Sequence, residues 1–177
     1  GNRSSGKMGF AVAEAARDRG AAVSLISTEP VPARLFGVTV DRVESAQEMM
    51  GALERRVGSA DVLVMAAAVA DFRPAEAAVE KRKKQGGGAG WSLDLCETPD
   101  LLASLSGRFL KVGFAAETND LVANAQVKFK KKGLDLIVAN DVSDPDSGFG
   151  SDTNRVVLID GGGEPEALPL LSKYCVA

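Results

Sequence analysis

The feature that most constrains this chain is a series of continuous apolar runs, each separated from the next by a helix-patterned segment. DVLVMAAAVA at 61–70, LKVGFAAE at 110–117 and LDLIVAND at 134–141 are such runs. They lack polar alternation, and runs of this length and β-rich content suit strands buried on both faces, as in the centre of a parallel sheet. Between the last two, residues 119–132 carry a helical pattern that Gly133 terminates. Upstream, AAVSLIS at 21–27 and VTVDRV at 38–43 predict two more strands. A small-residue stretch at 5–19, containing MGFAVAEAARDR, predicts a helix closed by Gly20, with alanines that let it sit close on the sheet. Ser45-Ala46-Gln47-Glu48 is a capping box opening a helix to about Val57, with Met50, Leu53 and Val57 directed at the core.

Alternating helices and strands predict an α/β fold: a Rossmann-like, doubly wound, mostly parallel sheet with helices on both faces. NRVVLID at 154–160, followed by glycines 161–163, adds a late β pair at the edge. The length of 177 residues fits one domain. The sequence starts on a turn and helix where such a sheet opens with a strand, and residues 168–177 read as a shortened helix. The expectation is therefore a single domain over 1–177 without its first strand and last helix. There is no internal repeat.

Composition removes several function classes. With 21 Lys plus Arg against 24 Asp plus Glu, the net charge of -3 gives no global positive field for nucleic acid or an anionic membrane. The chain has no histidine, which excludes Ser-His-Asp and Cys-His catalysis and His-ligated zinc. Cys96 and Cys175 fit no metal spacing and read as reduced thiols. No apolar run reaches the roughly 18 residues that span a bilayer, and the polar start is no signal peptide, so the expected location is the cytoplasm, with neither nucleic acid nor membrane as partner. Carboxylates, lysines, amides and backbone are left to do the chemistry.

Gly1-Asn2-Arg3-Ser4-Ser5-Gly6-Lys7-Met8 nearly spells the P-loop pattern, but Met8 replaces the hydroxyl that holds magnesium and no strand precedes it. Polar donors at a helix N-terminus suit an anion; equally, they cap the helix. Ala66, Ala67 and Ala68, at the end of a central strand, permit close approach of a ligand, or of a helix. Asp71 follows at the point where open α/β sheets bind ligands, and its alternative is a helix cap. Lys81-Arg82-Lys83-Lys84, running into a Gly-rich stretch that reads as a mobile loop, and Lys128 to Lys132 concentrate eight basic residues in two short windows. Lys128 and Lys132, spaced i,i+4, repel on one helix face unless something negative lies between them, such as a triphosphate. A solvated face is the plainer reading. Neither G-x-G-x-x-G nor Tyr-x-x-x-Lys is present, which disfavours a nicotinamide-dependent reductase.

Taken together, NRSSGKMGFAVAEAARDRGAAVSLIS, AAAVADFRP, EKRKK, TPDLL, VGFAAETND and ANDVSDPDSGFGSDTNRV resemble, in order, the bacterial phosphopantothenoylcysteine synthetase. In many bacteria that enzyme is the C-terminal half of a bifunctional coenzyme A biosynthesis flavoprotein. The resemblance runs from Asn2 to about Leu171. It implies a ligase that activates 4'-phosphopantothenate with CTP as an acyl-cytidylate, releases pyrophosphate, and lets cysteine displace CMP. It also implies magnesium, a homodimer with sites near the subunit interface, and a fused or separate decarboxylase as companion. The flavin-binding half is not in this chain, so no flavin is expected.

By the same resemblance, Lys81, Lys128 and Lys132 contact the nucleotide phosphates. Asp71, Phe114, the alanines 66–68 and Pro99, Asp100, Leu101 and Leu102 correspond to nucleotide-binding segments. Asn2 acts on the acyl-cytidylate beside Ala67 and Ala68, Lys81 is the second catalytic residue, and Ala139-Asn140-Asp141 lies beside the pocket. The metal ligands are not identifiable from the sequence. Three departures stand out: the family's Gly-rich first strand is absent, no arginine precedes Asn2, and Glu97 stands where relatives often carry a basic residue. Two other functions compete: a P-loop-like nucleotide hydrolase and a non-catalytic nucleotide-binding module.

Overall fold

The computed structural model describes residues 4–76, 92–143, 146–148 and 150–177. The chain opens with α1 (Lys7–Asp18), entered through Gly6 in the left-handed region at φ 70. A Cβ at Gly6 would lie 2.8 Å from the Phe10 ring, so both the conformation and the space call for glycine. Small residues line the helix's inner face, with Phe10, Ala11, Ala13 and Ala15 buried. Next come β1 (Ser24–Ser27) and β2 (Thr39–Arg42), which pair in parallel from Ser24 opposite Thr39 to Ser27 opposite Arg42.

Helix α2 (Ala46–Val57) starts where the capping box predicts, with the Ser45 hydroxyl accepting from the Glu48 amide at 3.2 Å. The returning Glu48 carboxylate accepts from the Glu44 amide at 2.7 Å rather than from the cap residue itself. Its buried face is Met49, Ala52 and Leu53. Met50 and Val57 are only half-buried at the margin of that cluster, because the helix is rotated so that Met49 takes the central place. Val43, Leu101, Leu105 and Phe109 complete the packing.

Strand β3 (Val62–Met65) is shorter than the apolar run that contains it. Its parallel partner is β6 (Leu110–Glu117), and their register ends with Met65 opposite Gly113. Beyond that point residues 66–70 have no strand partner among the described residues and leave the sheet. They lead to β4 (Phe72–Pro74), which pairs antiparallel with β5 (Leu95–Glu97) in a separate ribbon absent from the sequence expectation. A four-residue helix, α3 (Leu101–Ser104), follows with Asp100 as its cap.

After β6 come α4 (Leu121–Lys132), closed by Gly133 at φ 60, and β7 (Leu136–Asp141), parallel to β6. Then follow β8 (Thr153–Asn154), β9 (Val156–Asp160), β10 (Glu166–Ala167), β11 (Leu171–Ser172) and α5 (Lys173–Val176). The central sheet has the order β10-β9-β7-β6-β3, with β9 antiparallel to both its neighbours. The β9–β10 turn is fastened by the Asp160 carboxylate, which accepts from the Gly162 and Gly163 amides at 3.0 Å each. The shortened helix expected at 168–177 is instead a bridge of β11 to β8 followed by one turn, capped by Ser172.

The expected α/β class is what forms, with a parallel-rich sheet and helices, while the sheet divides more than expected: among the described residues β1–β2 is hydrogen-bonded apart from the central five strands. One core cluster lies under α4, with Ala125, Ala115, Ile137, Ala139 and Ile159. A smaller one, under α1, joins Phe10, Ala13 and Leu35. Among the described residues no helix is long and apolar enough to cross a membrane.

Candidate functional site

A cavity of about 140 Å³ opens where β3 ends and the chain departs from the sheet. Ala67 and Asp71 reach it from the segment after β3, Pro99, Asp100, Leu101 and Leu102 from the start of α3, and Lys132 from the end of α4. Three segments far apart in sequence thus converge on one site. Met65, Val69, Ala70 and Thr98 also line it, none of them an expected site residue, although Val69, Ala70 and Thr98 fall within the AAAVADFRP and TPDLL stretches that carry the resemblance.

Not all of the expected residues are found on its walls. Ala66, Ala68, Phe114 and Lys128 are not among the residues that line this cavity, although Phe114 follows Gly113, the partner of Met65. Ala66 instead backs onto α1: a Cβ built on Gly9 would sit 4.0 Å from its own. Asn2 and Lys81, with the basic stretch that reads as a mobile loop, lie outside the described residues. Asn140 is buried in β7 opposite Ala116 and Val156, and the Asp141 carboxylate accepts from the amide and hydroxyl of Ser143, which hold it below the usual carboxylate range.

The walls are tied together by backbone and charge. The Thr98 amide donates to the Asp71 carbonyl at 2.8 Å, which fixes the end of the alanine stretch against the start of α3. Asp100 uses both carboxylate oxygens: one accepts from the Ala103 amide at 3.1 Å and caps α3, and the other lies 3.1 Å from the Lys132 ammonium. Partial burial pushes its pKa up, but the Ala103 amide and the Lys132 ammonium outweigh that and hold it below its ordinary value. Lys128 makes a corresponding pair with Glu117 at the end of β6, at 2.5 Å, and Glu117 is the more buried partner. Each lysine of the i,i+4 pair therefore has a carboxylate of this chain beside it, so the repulsion between them is relieved without an added anion. Glu117 was a further residue that sequence reasoning missed, since nothing local links it to a lysine eleven positions on.

Lys7, the lysine of the P-loop-like pattern, turns away from this cavity. Its ammonium is 2.8 Å from both the Gly150 carbonyl and the Asp152 carboxylate. The Ser4 hydroxyl accepts from the Gly6 amide at 3.3 Å, so that amide of the expected anion-binding donor set is already satisfied within the chain. Neither observation favours a P-loop.

A small-residue segment after a strand, a capped helix start and a lysine around one cavity at a carboxyl sheet edge define an α/β domain with a cavity where open sheets of this class place their ligands. The chain belongs to the DNA/pantothenate metabolism flavoprotein C-terminal domain family, which it matches over residues 1–177. It is 44% identical over 179 residues to the coenzyme A biosynthesis bifunctional protein CoaBC of Vibrio vulnificus, covering 97% of this chain and 44% of that protein. It is 42% identical to the protein of the same name from Bacillus subtilis, covering 99% of this chain and 44% of the relative. The chain thus spans less than half the length of these relatives. Among solved structures it resembles the C-terminal domain of a CoaBC protein with a TM-score of 0.78 and 36% identity, covering 99% of this chain and 79% of that one. A Cab2 mutant in complex with phosphopantothenate-cysteine shares the fold, at TM-score 0.73 and 14% identity.

Proposed function

We propose that this domain is a phosphopantothenate–cysteine ligase of coenzyme A biosynthesis that uses CTP. The observation that carries the reading is the convergence of Ala67, Asp71, Pro99, Asp100, Leu101, Leu102 and Lys132 on one cavity, in a chain of this family. In the reaction, a carboxylate oxygen of 4'-phosphopantothenate attacks the α-phosphorus of CTP and pyrophosphate leaves, giving an acyl-cytidylate. The amine of cysteine then attacks the acyl carbon, an amide forms, a proton is released and CMP leaves.

The first step brings a carboxylate against a polyanion, so cations must offset the charge that accumulates there. Lys132 stands on the cavity wall and Lys128 one turn before it; both exchange a carboxylate partner for phosphate oxygens as the nucleotide enters. Asp71 orients the nucleoside, the alanine stretch lets it approach the backbone, and Pro99 to Leu102 close the opposite side. Lys81 supplies a third cation and Asn2 handles the acyl-cytidylate, both by resemblance alone.

Magnesium is commonly held by one or two carboxylates together with substrate phosphates. Once Lys132 turns to the phosphates, the Asp100 oxygen it leaves would take that role, and among the described residues no group of three or more carboxylates or cysteines forms a complete protein cage. When bound, the metal neutralises phosphate charge.

The β4–β5 ribbon supports a homodimer, because it leaves Phe72 at 56% and Leu95 at 55% exposed, and paired apolar ribbons seek cover. The bifunctional relatives support a decarboxylase as companion. The test is product analysis by mass spectrometry of a mixture of CTP, magnesium, 4'-phosphopantothenate and cysteine. Phosphopantothenoylcysteine, CMP and pyrophosphate in equal amounts are expected. CTP binding without product would favour the non-catalytic module.

A further inference from the structure

The Lys7 ammonium, in the position of a phosphate-binding lysine, reaches across to the loop that follows β7 and bonds the Gly150 carbonyl and the Asp152 carboxylate. From the other side Lys173, only 6% exposed, directs its ammonium into the same loop. It donates to the Gly148 carbonyl at 2.6 Å, to the Ser151 carbonyl, and more distantly to the Thr153 carbonyl at 3.5 Å. Among the described residues no carboxylate forms an ion pair with it, so carbonyl dipoles stabilise the buried charge. That burial and the Lys7 charge lower its pKa, opposed by Asp152. Inside the loop, Ser147 bonds Asn154 at 2.7 Å with both side chains buried, and Thr153 bonds the Asp146 carbonyl at 2.6 Å. The loop is thus gathered around two ammonium groups, one from each end of the chain.

Its location gives this a purpose. Asp152 of that loop and both lysines, with Ser5, border a cavity of about 320 Å³ beside the start of α1. Asn2 stands five positions before Lys7 in the sequence, and Gly9 of α1 backs onto Ala66, next to the Ala67 that lines the other cavity. We infer that Lys7 is a positioning residue: with Lys173 it clamps residues 146–148 and 150–153 against the start of α1, setting the wall that faces the acid and amine substrates rather than binding nucleotide phosphate. This deepens the ligase reading and rests on it. Because the Lys7 pair is exposed, its removal should alter the loop far more than the global stability.

The experiment compares wild type with Lys7→Met, Lys7→Arg and Asp152→Asn by CTP binding, steady-state ligation and hydrogen exchange. Lys7→Met should keep CTP affinity within about twofold, while kcat with 4'-phosphopantothenate and cysteine falls about 10- to 100-fold, the range expected of a misplaced site wall. Amides 150–153 should exchange about tenfold faster, as a locally opened segment does. Lys7→Arg, which can still donate to both partners, should recover most of the loss, and Asp152→Asn should show a smaller version of it. CTP binding weakened tenfold or more with exchange unchanged would overturn the inference in favour of phosphate binding. Faster exchange with kcat and KM intact would overturn it in favour of a purely structural clamp. Exchange does not depend on turnover: a wild type that makes no product removes the ligase reading and the claim on kcat, and the exchange result then reports on the clamp alone.

Discussion

Replacing Lys132 by Met separates what this side chain does for the fold from what it does for the nucleotide. In the free protein its ammonium faces Asp100 at 3.1 Å, with the two side chains 33% and 37% exposed. A pair this open to water is worth about 0.2–1 kcal/mol, and Asp100 keeps its bond to the Ala103 amide when the lysine is gone. The stability loss in a urea titration should therefore stay under about 1 kcal/mol. Towards the nucleotide the same ammonium makes charged hydrogen bonds to phosphate, each worth about 1.5–3 kcal/mol, which corresponds to a roughly 10- to 150-fold loss of CTP affinity. Calorimetric titration of CTP into the folded variant is the assay. Unchanged CTP affinity would refute the assignment of Lys132 to the phosphates. A stability loss well above 1 kcal/mol would refute the reading of the Asp100 pair as solvent-screened. Lys128→Met should cost more stability than Lys132→Met, because its partner Glu117 is only 13% exposed and loses its counter-charge.

Other expectations follow from single contacts. Gly113→Ala puts a Cβ 2.8 Å from Leu134 Cδ1 and 3.5 Å from Leu102 Cδ2, so the variant should lose about 1–2 kcal/mol in urea and shift the cavity wall at Leu102. A stability equal to wild type would show that Leu134 moves aside freely. Ser45→Ala removes the acceptor for the Glu48 amide and should cost about 1 kcal/mol by thermal or urea unfolding. Asp100 has a folded pKa below its ordinary 3.8, so the unfolded state binds more protons between those two values and stability rises with pH there. Its contribution is complete above about pH 5 and is lost as pH falls through the folded pKa, so the stability gap between wild type and Asp100→Asn should be flat near neutrality and close on acidification below 3.8.

The parts that local pattern determines could be read in the sequence. Strand β6 has the bounds of its apolar run, and α4 stops at the glycine that marks its end, because burial on both faces and a left-handed cap each leave a compositional trace. The end of β3 could not be read, since residues 66–70 are as apolar as the strand and only the reach of β6 decides where pairing stops. The β4–β5 ribbon left no trace either: three exposed residues pair with three others more than twenty positions away. At the site, the residue types were legible and their partners were not. Asp100 looked like a nucleotide residue and is also a helix cap with a lysine attached, while Glu117 looked like nothing until the fold set it beside Lys128.

The most direct test of the central claim is pyrophosphate release from CTP and magnesium by the purified protein, with and without 4'-phosphopantothenate, before any cysteine is added. Carboxylate activation predicts release only when the acid is present, with the cytidylate retained on the acyl group until cysteine arrives. Release without the acid, or none with it despite bound CTP, would contradict the ligase reading.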